Sequence, residues 1–254
     1  MSDLITVQGV VLSAMPMGEY DRRIVLLTRE RGKLSAFAKG ARRPNSPFMA
    51  ASDPFVFGTF TLYEGKNSYN LNQVEIREHF VELAARQPGI YYGYYFLELC
   101  DYFGREGLDG TDMMNLLYVS AKALLHEKIE DRLVRCAFEL RLLTIQGMMP
   151  ELFSCVVCGK KPESGEDAGE LFFSPAEKGI LCSSCRQSAP YAIRISYTTW
   201  LTMRFITAAP LGKLFTFTVT AEILKELESC IHPYMAAFLD KRIRSLEILD
   251  LMTG

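Results

Sequence analysis

Two periodicities divide this chain. Up to about residue 80, short apolar and β-branched runs are separated by glycine and polar turns, the signature of strands. The runs fall at residues 5–14, 23–28, 33–38, 54–63 and 69–77. In the fourth run Phe55, Phe57, Thr59, Thr61 and Tyr63 alternate with Val56, Gly58, Phe60 and Leu62, a period of two in which both faces meet other groups. Five strands in so short a stretch suit a closed five-stranded Greek-key barrel of the OB type. Residues 40–53, with two prolines and several small residues, read as a loop between the third and fourth strands.

From about residue 81 the apolar spacing becomes helical. Met113, Leu116, Leu117, Ser120, Ala121 and Leu124 recur at helical intervals within 111–127, with Thr111 or Asp112 as N-cap. Leu133, Ala137, Leu140 and Thr144 repeat the pattern over 129–145, closed by Gly147 and Pro150. The aromatic stretch 88–103 reads as a buried helix, and a last helix is expected to start near Pro233 and to carry Met235, Phe238, Leu239, Arg242, Leu246 and Leu249 on one face. The expected fold class is thus α+β and multidomain: an N-terminal barrel over 1–80, then an α-helical bundle over 81–254 with a non-helical insertion at 150–190.

That insertion holds the most specific pattern in the chain. Cys155-Val-Val-Cys158-Gly and Cys182-Ser-Ser-Cys185 are two C-x-x-C pairs separated by 23 residues. Each tight turn brings two thiolates to one ion, and two turns complete a sulfur tetrahedron, so a structural zinc ion in a ribbon or knuckle is expected. A redox-active dithiol or an iron–sulfur cluster would use the same spacing. Gly159 and Gly179 suit the turns, and residues 171–174 and 180–181 can pair as short strands. The chain has seven cysteines, an odd number; Cys100, Cys136 and Cys230 stand in helical patterns and read as core. No run of about 18 apolar residues occurs and the start lacks a signal-peptide pattern, so a cytoplasmic protein without membrane contact is expected.

The overall charge hides a local excess. With 28 basic and 30 acidic residues the net charge is −2, yet Arg22, Arg23, Arg29, Arg31, Lys33, Lys39, Arg42 and Arg43 face only Glu30 within 22 residues, a net of +7. Such a stripe on a small barrel matches the phosphates of nucleic acid, with Lys39, Arg42 and Arg43 as the main backbone clamp and Phe37, Phe48 and Tyr69 as candidate stacking surfaces. A solvated barrel face would show the same charges. Catalytic patterns are missing: there is no phosphate-binding glycine loop, no dinucleotide fingerprint and no nucleophile elbow, and His79, His126 and His232 stand apart from any nucleophile in sequence. A non-enzymatic protein is expected.

The stretch Gly18-Glu-Tyr-Asp-Arg-Arg-Ile-Val-Leu-Leu-Thr-Arg-Glu-Arg-Gly-Lys33, the cluster Lys39-Gly-Ala-Arg-Arg43, the aromatic helical region and the inserted four-cysteine site together resemble the bacterial RecO recombination mediators over essentially the full length. The resemblance implies a cytoplasmic, nucleoid-associated DNA repair and recombination factor of the RecF pathway. Such a factor binds single- and double-stranded DNA, anneals complementary strands, and works with RecR and single-stranded DNA-binding protein to load RecA. It also implies a pocket for the acidic tail of that binding protein on the helical domain, for which Lys241, Arg242 and Arg244 beside Phe238 and Leu239 have suitable chemistry. The alternative is a zinc-ribbon adaptor that docks an acidic protein or structured RNA.

Overall fold

The computed structural model describes residues 3–66, 68–162 and 169–254, so residues 163–168 of the expected insertion lie outside the described residues. The chain forms two compact units, Met1–Leu125 with Ile243–Gly254, and His126–Arg242.

In the first unit β1 (Leu4–Met17), β2 (Asp21–Thr28), β3 (Gly32–Ala38), β4 (Val56–Glu64) and β5 (Tyr69–His79) close into a barrel in the order β1-β2-β3-β5-β4. All neighbours are antiparallel except β3 and β5, which meet in parallel through two residue pairs, Ala36–Tyr69 and Phe37–Asn70. Alternate residues point inward, so Val7, Val11, Ile24, Leu26, Leu34, Ala36, Val56, Phe60, Leu62 and Leu71 fill the interior. The other face of β4 is also covered. Phe57 meets Phe80 and Tyr118 edge to face at 5.5 and 5.4 Å.

The helices of this unit are α1 (Phe48–Ala51), a single turn within the expected loop, α2 (Gly89–Phe103), α3 (Thr111–Leu124) and α7 (Arg244–Thr253). The sequence places a boundary after residue 80, but by contact α2 and α3 group with the barrel. Gly93 explains part of this: a Cβ there would lie 2.8 Å from the Phe55 ring, so the bare backbone of α2 seats that ring. Gly110, not Thr111 or Asp112, is the N-cap of α3, because any side chain at 110 would meet the Thr28 carbonyl at 2.4 Å. The capping bond comes instead from Asp109 Oδ1, which accepts the Thr111 N–H at 2.7 Å. Glu98 of α2 serves α7 in the same way, accepting from the N–H groups of Arg244 and Ser245 at 3.2 and 2.8 Å.

The second unit packs α4 (Asp131–Ile145), α5 (Tyr197–Ala208) and α6 (Ala221–Ala236) with a three-stranded sheet of order β7-β6-β8, formed by β6 (Leu171–Ser174), β7 (Gly179–Cys182) and β8 (Ile193–Ile195). Ser196 and Thr220 cap α5 and α6 through their hydroxyls. The helix expected to start near Pro233 does not exist as such. Pro233 lies inside α6, whose buried positions Leu224, Leu227, Ile231, Tyr234 and Met235 run through it. That burial outweighs one lost backbone hydrogen bond and the proline ring clash, about 3 kcal/mol. The chain then leaves the helix, and α7 begins only at Arg244.

Gly32 is the most constrained turn residue of the barrel. Its φ is +63°, and a Cβ would lie 2.1 Å from the Arg105 carbonyl oxygen and 2.3 Å from that of Leu108. Gly32→Ala is expected to lower stability by about 2–4 kcal/mol, combining left-handed strain with displacement of backbone; urea unfolding of the purified protein measures it.

Candidate metal centre and nucleic-acid interface

The two C-x-x-C turns converge. Sγ atoms of Cys155, Cys158, Cys182 and Cys185 all lie within 4.8 Å of one another, with Cys158 and Cys182 at 3.7 Å. A tetrahedron of sulfurs about 2.3 Å from zinc has edges of about 3.8 Å, so the four residues fit such an ion. Local folding brings this about. Gly159, at φ +71°, closes the first turn, with its N–H on the Cys155 carbonyl at 2.8 Å and the Cys155 N–H on the Lys160 carbonyl at 2.8 Å. Gly179 lets β7 pass the first knuckle, since a Cβ would meet the Glu151 carbonyl and the Val156 side chain at 2.6 Å. Trp200 of α5 ties the knuckle down by donating its indole N–H to the Leu152 carbonyl at 2.7 Å.

The thiols differ in acidity. Burial pushes the Cys155 thiol up, but hydrogen bonds from the backbone of Cys158, Cys182 and Val157 together outweigh it and bring it down to about 6. Cys185 is pushed up to about 12, first by its hydrogen bond with Cys158, then by burial and by Cys182 and Cys155. Four thiols thus crowd one spot and cannot all ionise without a cation. Beneath them the apolar core is small: Cys155, Phe172, Leu181, Ala189 and Ala192. An ion held by four sulfurs has no open coordination position, so it would brace this unit instead of carrying out chemistry.

The basic stripe divides into two kinds of cation. Arg22 points into the fold, its guanidinium meeting Asp53 Oδ1 at 2.7 Å, Ser52 Oγ at 2.9 Å and the Met49 carbonyl at 2.9 Å. Arg31 pairs with Glu64 at 3.1 Å, and Lys33 with Asp101 at 3.2 Å. Arg29 lies against α3, its Nη2 donating to Asn115 Oδ1 at 3.4 Å. Arg23, Lys39, Arg42 and Arg43 are exposed and carry no ion pair among the described residues. Phe48 and Tyr69 pack on the barrel core, which leaves Phe37, itself half-buried and paired across the strands with Arg23, as the stacking candidate on the same stretch.

Lys39 to Arg43 form a loop fastened to the β1–β2 turn. The Arg42 N–H donates to the Tyr20 carbonyl at 2.8 Å, and its guanidinium reaches the carbonyls of Gly18 and Glu19 at 3.3 and 3.2 Å. Asp21 Oδ1 accepts the Gly40 N–H at 2.7 Å, and Arg43 lies over the Tyr20 ring, 5.2 Å from its centroid. Sequence reasoning missed Tyr20, because a single aromatic at a turn carries no periodic signal.

The five residues expected to hold a partner's tail are not on one helix. Phe238 and Leu239 follow α6, Lys241 and Arg242 stand in the irregular segment after it, and Arg244 opens α7 in the other unit. Phe238 stacks edge to face on Tyr234 at 5.1 Å, with Lys178 over its ring at 5.6 Å. His232 does approach a cysteine and a carboxylate, Cys136 at 3.8 Å and the fully buried Glu139 at 3.9 Å. Both meet the same nitrogen, Nε2, whereas a relay uses both. Cys136 is held well above the ordinary thiol range by burial, then by Glu139 and Glu228.

Comparison with known proteins identifies the family. The family model described as "Recombination protein O N terminal" matches residues 1–80, and "Recombination protein O C terminal" matches residues 89–247. The chain belongs to the RecO family. A DNA repair protein RecO from Alkaliphilus metalliredigens is 32% identical over 246 residues, 96% of this chain and 98% of that protein. Its counterpart from Symbiobacterium thermophilum is 33% identical over 251 residues, 98% of each, and that from Bacillus pumilus 28% over 249, 98% and 94%. RecO membership gives the chain a role in DNA repair and recombination, and the barrel and cysteine cluster suit DNA binding and zinc. No helix among the described residues is long and apolar enough to cross a membrane.

Purified protein is expected to carry one zinc per chain by elemental analysis. Cys155→Ser or Cys182→Ser should lose it together with several kcal/mol of stability in the second unit, as zinc-dependent small folds do. Full retention of folding after chelation would show that the ion does not brace the unit.

Proposed function

We propose that the chain is a non-catalytic mediator that binds single- and double-stranded DNA through the loop Lys39–Arg43 and neighbouring Arg23, and anneals complementary strands. It would act in the cytoplasm at the nucleoid, with RecR and single-stranded DNA-binding protein as partners in loading RecA. The observation that supports this reading is the exposed, unpaired state of Lys39 and Arg43 on a loop whose third cation, Arg42, is held by backbone carbonyls and not by carboxylates. Cations without acidic partners keep their full attraction for phosphates and release condensed counterions on binding. Contact by charge alone is blind to sequence, which annealing requires.

Paired and unpaired cations give a test. In a salt titration of binding to fluorescent poly-dT, changing Lys39, Arg42 and Arg43 to alanine is expected to reduce the log–log slope by about two units, at roughly 0.7 per phosphate on a single strand. Arg31→Ala with Lys33→Ala should change it by less than about half as much, because Glu64 and Asp101 already neutralise those charges. Absence of binding at low salt would remove the DNA reading and favour the adaptor that docks a protein or RNA.

A further inference from the structure

Charge does not account for the apolar surface beside these cations. On the hairpin β1–β2, Met15 is 62% exposed, Met17 44% and Tyr20 41%. Residues 15 and 17 lie two apart on one strand and so share a face. The register extends that face: Met15 pairs with Arg23, and Arg23 with Phe37, giving a cross-strand row of methionine, arginine and phenylalanine. A groove of about 420 Å³ runs beside it, lined among others by Met15, Arg23, Lys33 and Ser35 and by the carboxylates Asp101 and Glu106. Exposed apolar side chains interleaved with cations are wasted on a phosphate backbone, which offers them nothing, whereas an unpaired base offers a π-face.

Tyr20 is the best-held member of this surface. Its carbonyl accepts the Arg42 N–H at 2.8 Å, the two residues before it are bound by the Arg42 guanidinium, and the residue after it is bound by the Gly40 N–H. Arg43 covers the ring at 5.2 Å. The backbone that carries the ring is therefore fixed before any ligand arrives and Arg43 covers one ring face, which lowers the ordering cost of stacking on the other. Its place beside Lys39, Arg42 and Arg43 puts a base platform next to a phosphate clamp.

We propose that Tyr20, backed by Arg43, is a stacking platform for unpaired nucleobases, with Met17, Met15 and half-buried Phe37 on the adjoining strands, by which this rim prefers single strands to duplex. The proposal rests on the DNA-binding reading above and adds base contact to it. A duplex keeps its bases stacked on one another, so the platform gains nothing from it.

The test compares three probes of equal length at one salt concentration: poly-dT, an abasic strand with the same phosphates, and a duplex. Tyr20→Ala is expected to weaken poly-dT binding roughly tenfold, within a span of about five- to a hundred-fold for the loss of one stacked base. It should leave the abasic strand, the duplex and the salt slope of poly-dT unchanged, and Tyr20→Phe should bind poly-dT as the unaltered protein does. An equal loss on the abasic strand would overturn the proposal, because the ring would then act only by holding the loop. Unchanged poly-dT affinity in Tyr20→Ala would overturn it too. Failure of the unaltered protein to bind any of the three would instead overturn the DNA-binding reading on which it stands.

Discussion

Closing five strands into a barrel is the constraint from which the rest of the first unit follows. Closure relies on β1 serving two neighbours, pairing with β4 over Leu4–Val10 and with β2 over Gly9–Met17. A bulge between Val11 and Ser13 marks the handover, bending the strand where one partner gives way to the other. Since β4 is left behind at Val10, the outer half of β1 becomes one edge of a three-stranded rim with β2 and β3. Here it is held by the loop after β3, through the bonds from Arg42 and Gly40 to the turn, and by Arg22, which fastens the base of β2 to α1 and the loop that follows it. The requirement to close the barrel thus creates the projecting rim, and the requirement to stabilise the rim gathers the cations there.

Not every cation in a basic run is available to a ligand. Arg22 and Arg42 illustrate the two ways of being occupied. Arg22 is bound to a carboxylate and half-buried, so its charge is spent within the fold. Arg42 meets only carbonyl oxygens, which satisfy donors without cancelling the charge. Arg31 and Lys33 lie between these cases, in part-exposed pairs of the kind worth at most about 1 kcal/mol. Such weak pairs hold side chains in place yet reduce what a phosphate would gain.

The barrel and the knuckles were legible because their signals are local. Alternation over four to nine residues places a strand, and two C-x-x-C turns place four sulfurs whatever lies between them. What was illegible depended on partners distant in sequence. The helix expected at Pro233 failed because α6 is set by its buried face and the Thr220 cap, and the proline is tolerated there. The residues expected to meet a partner's tail were grouped on that expected helix, and the structure divides them among the end of α6, an irregular segment and α7. The same reasoning applies to charge: composition counts eight cations, but only the fold shows that Glu64, Asp101 and Asp53, drawn from β4, α2 and the loop before β4, take three of them. Tyr20 was invisible for the converse reason, being one aromatic at a turn, given meaning only by the loop that holds it.

Metal and charge solve different problems in the two units. In the second, the small apolar core under the knuckles cannot by itself order two turns and a short ribbon, and four converging thiols repel one another once ionised. A divalent ion held there would remove the repulsion and replace the missing core. In the first unit the apolar interior is complete, so no ion is needed, and like charges can be placed on the surface at small cost in stability. That division leaves the rim free to be positive. A factor that holds strands without reading them gains from a surface whose shape is fixed by backbone hydrogen bonds, because its side chains then meet a flexible strand without first having to be ordered.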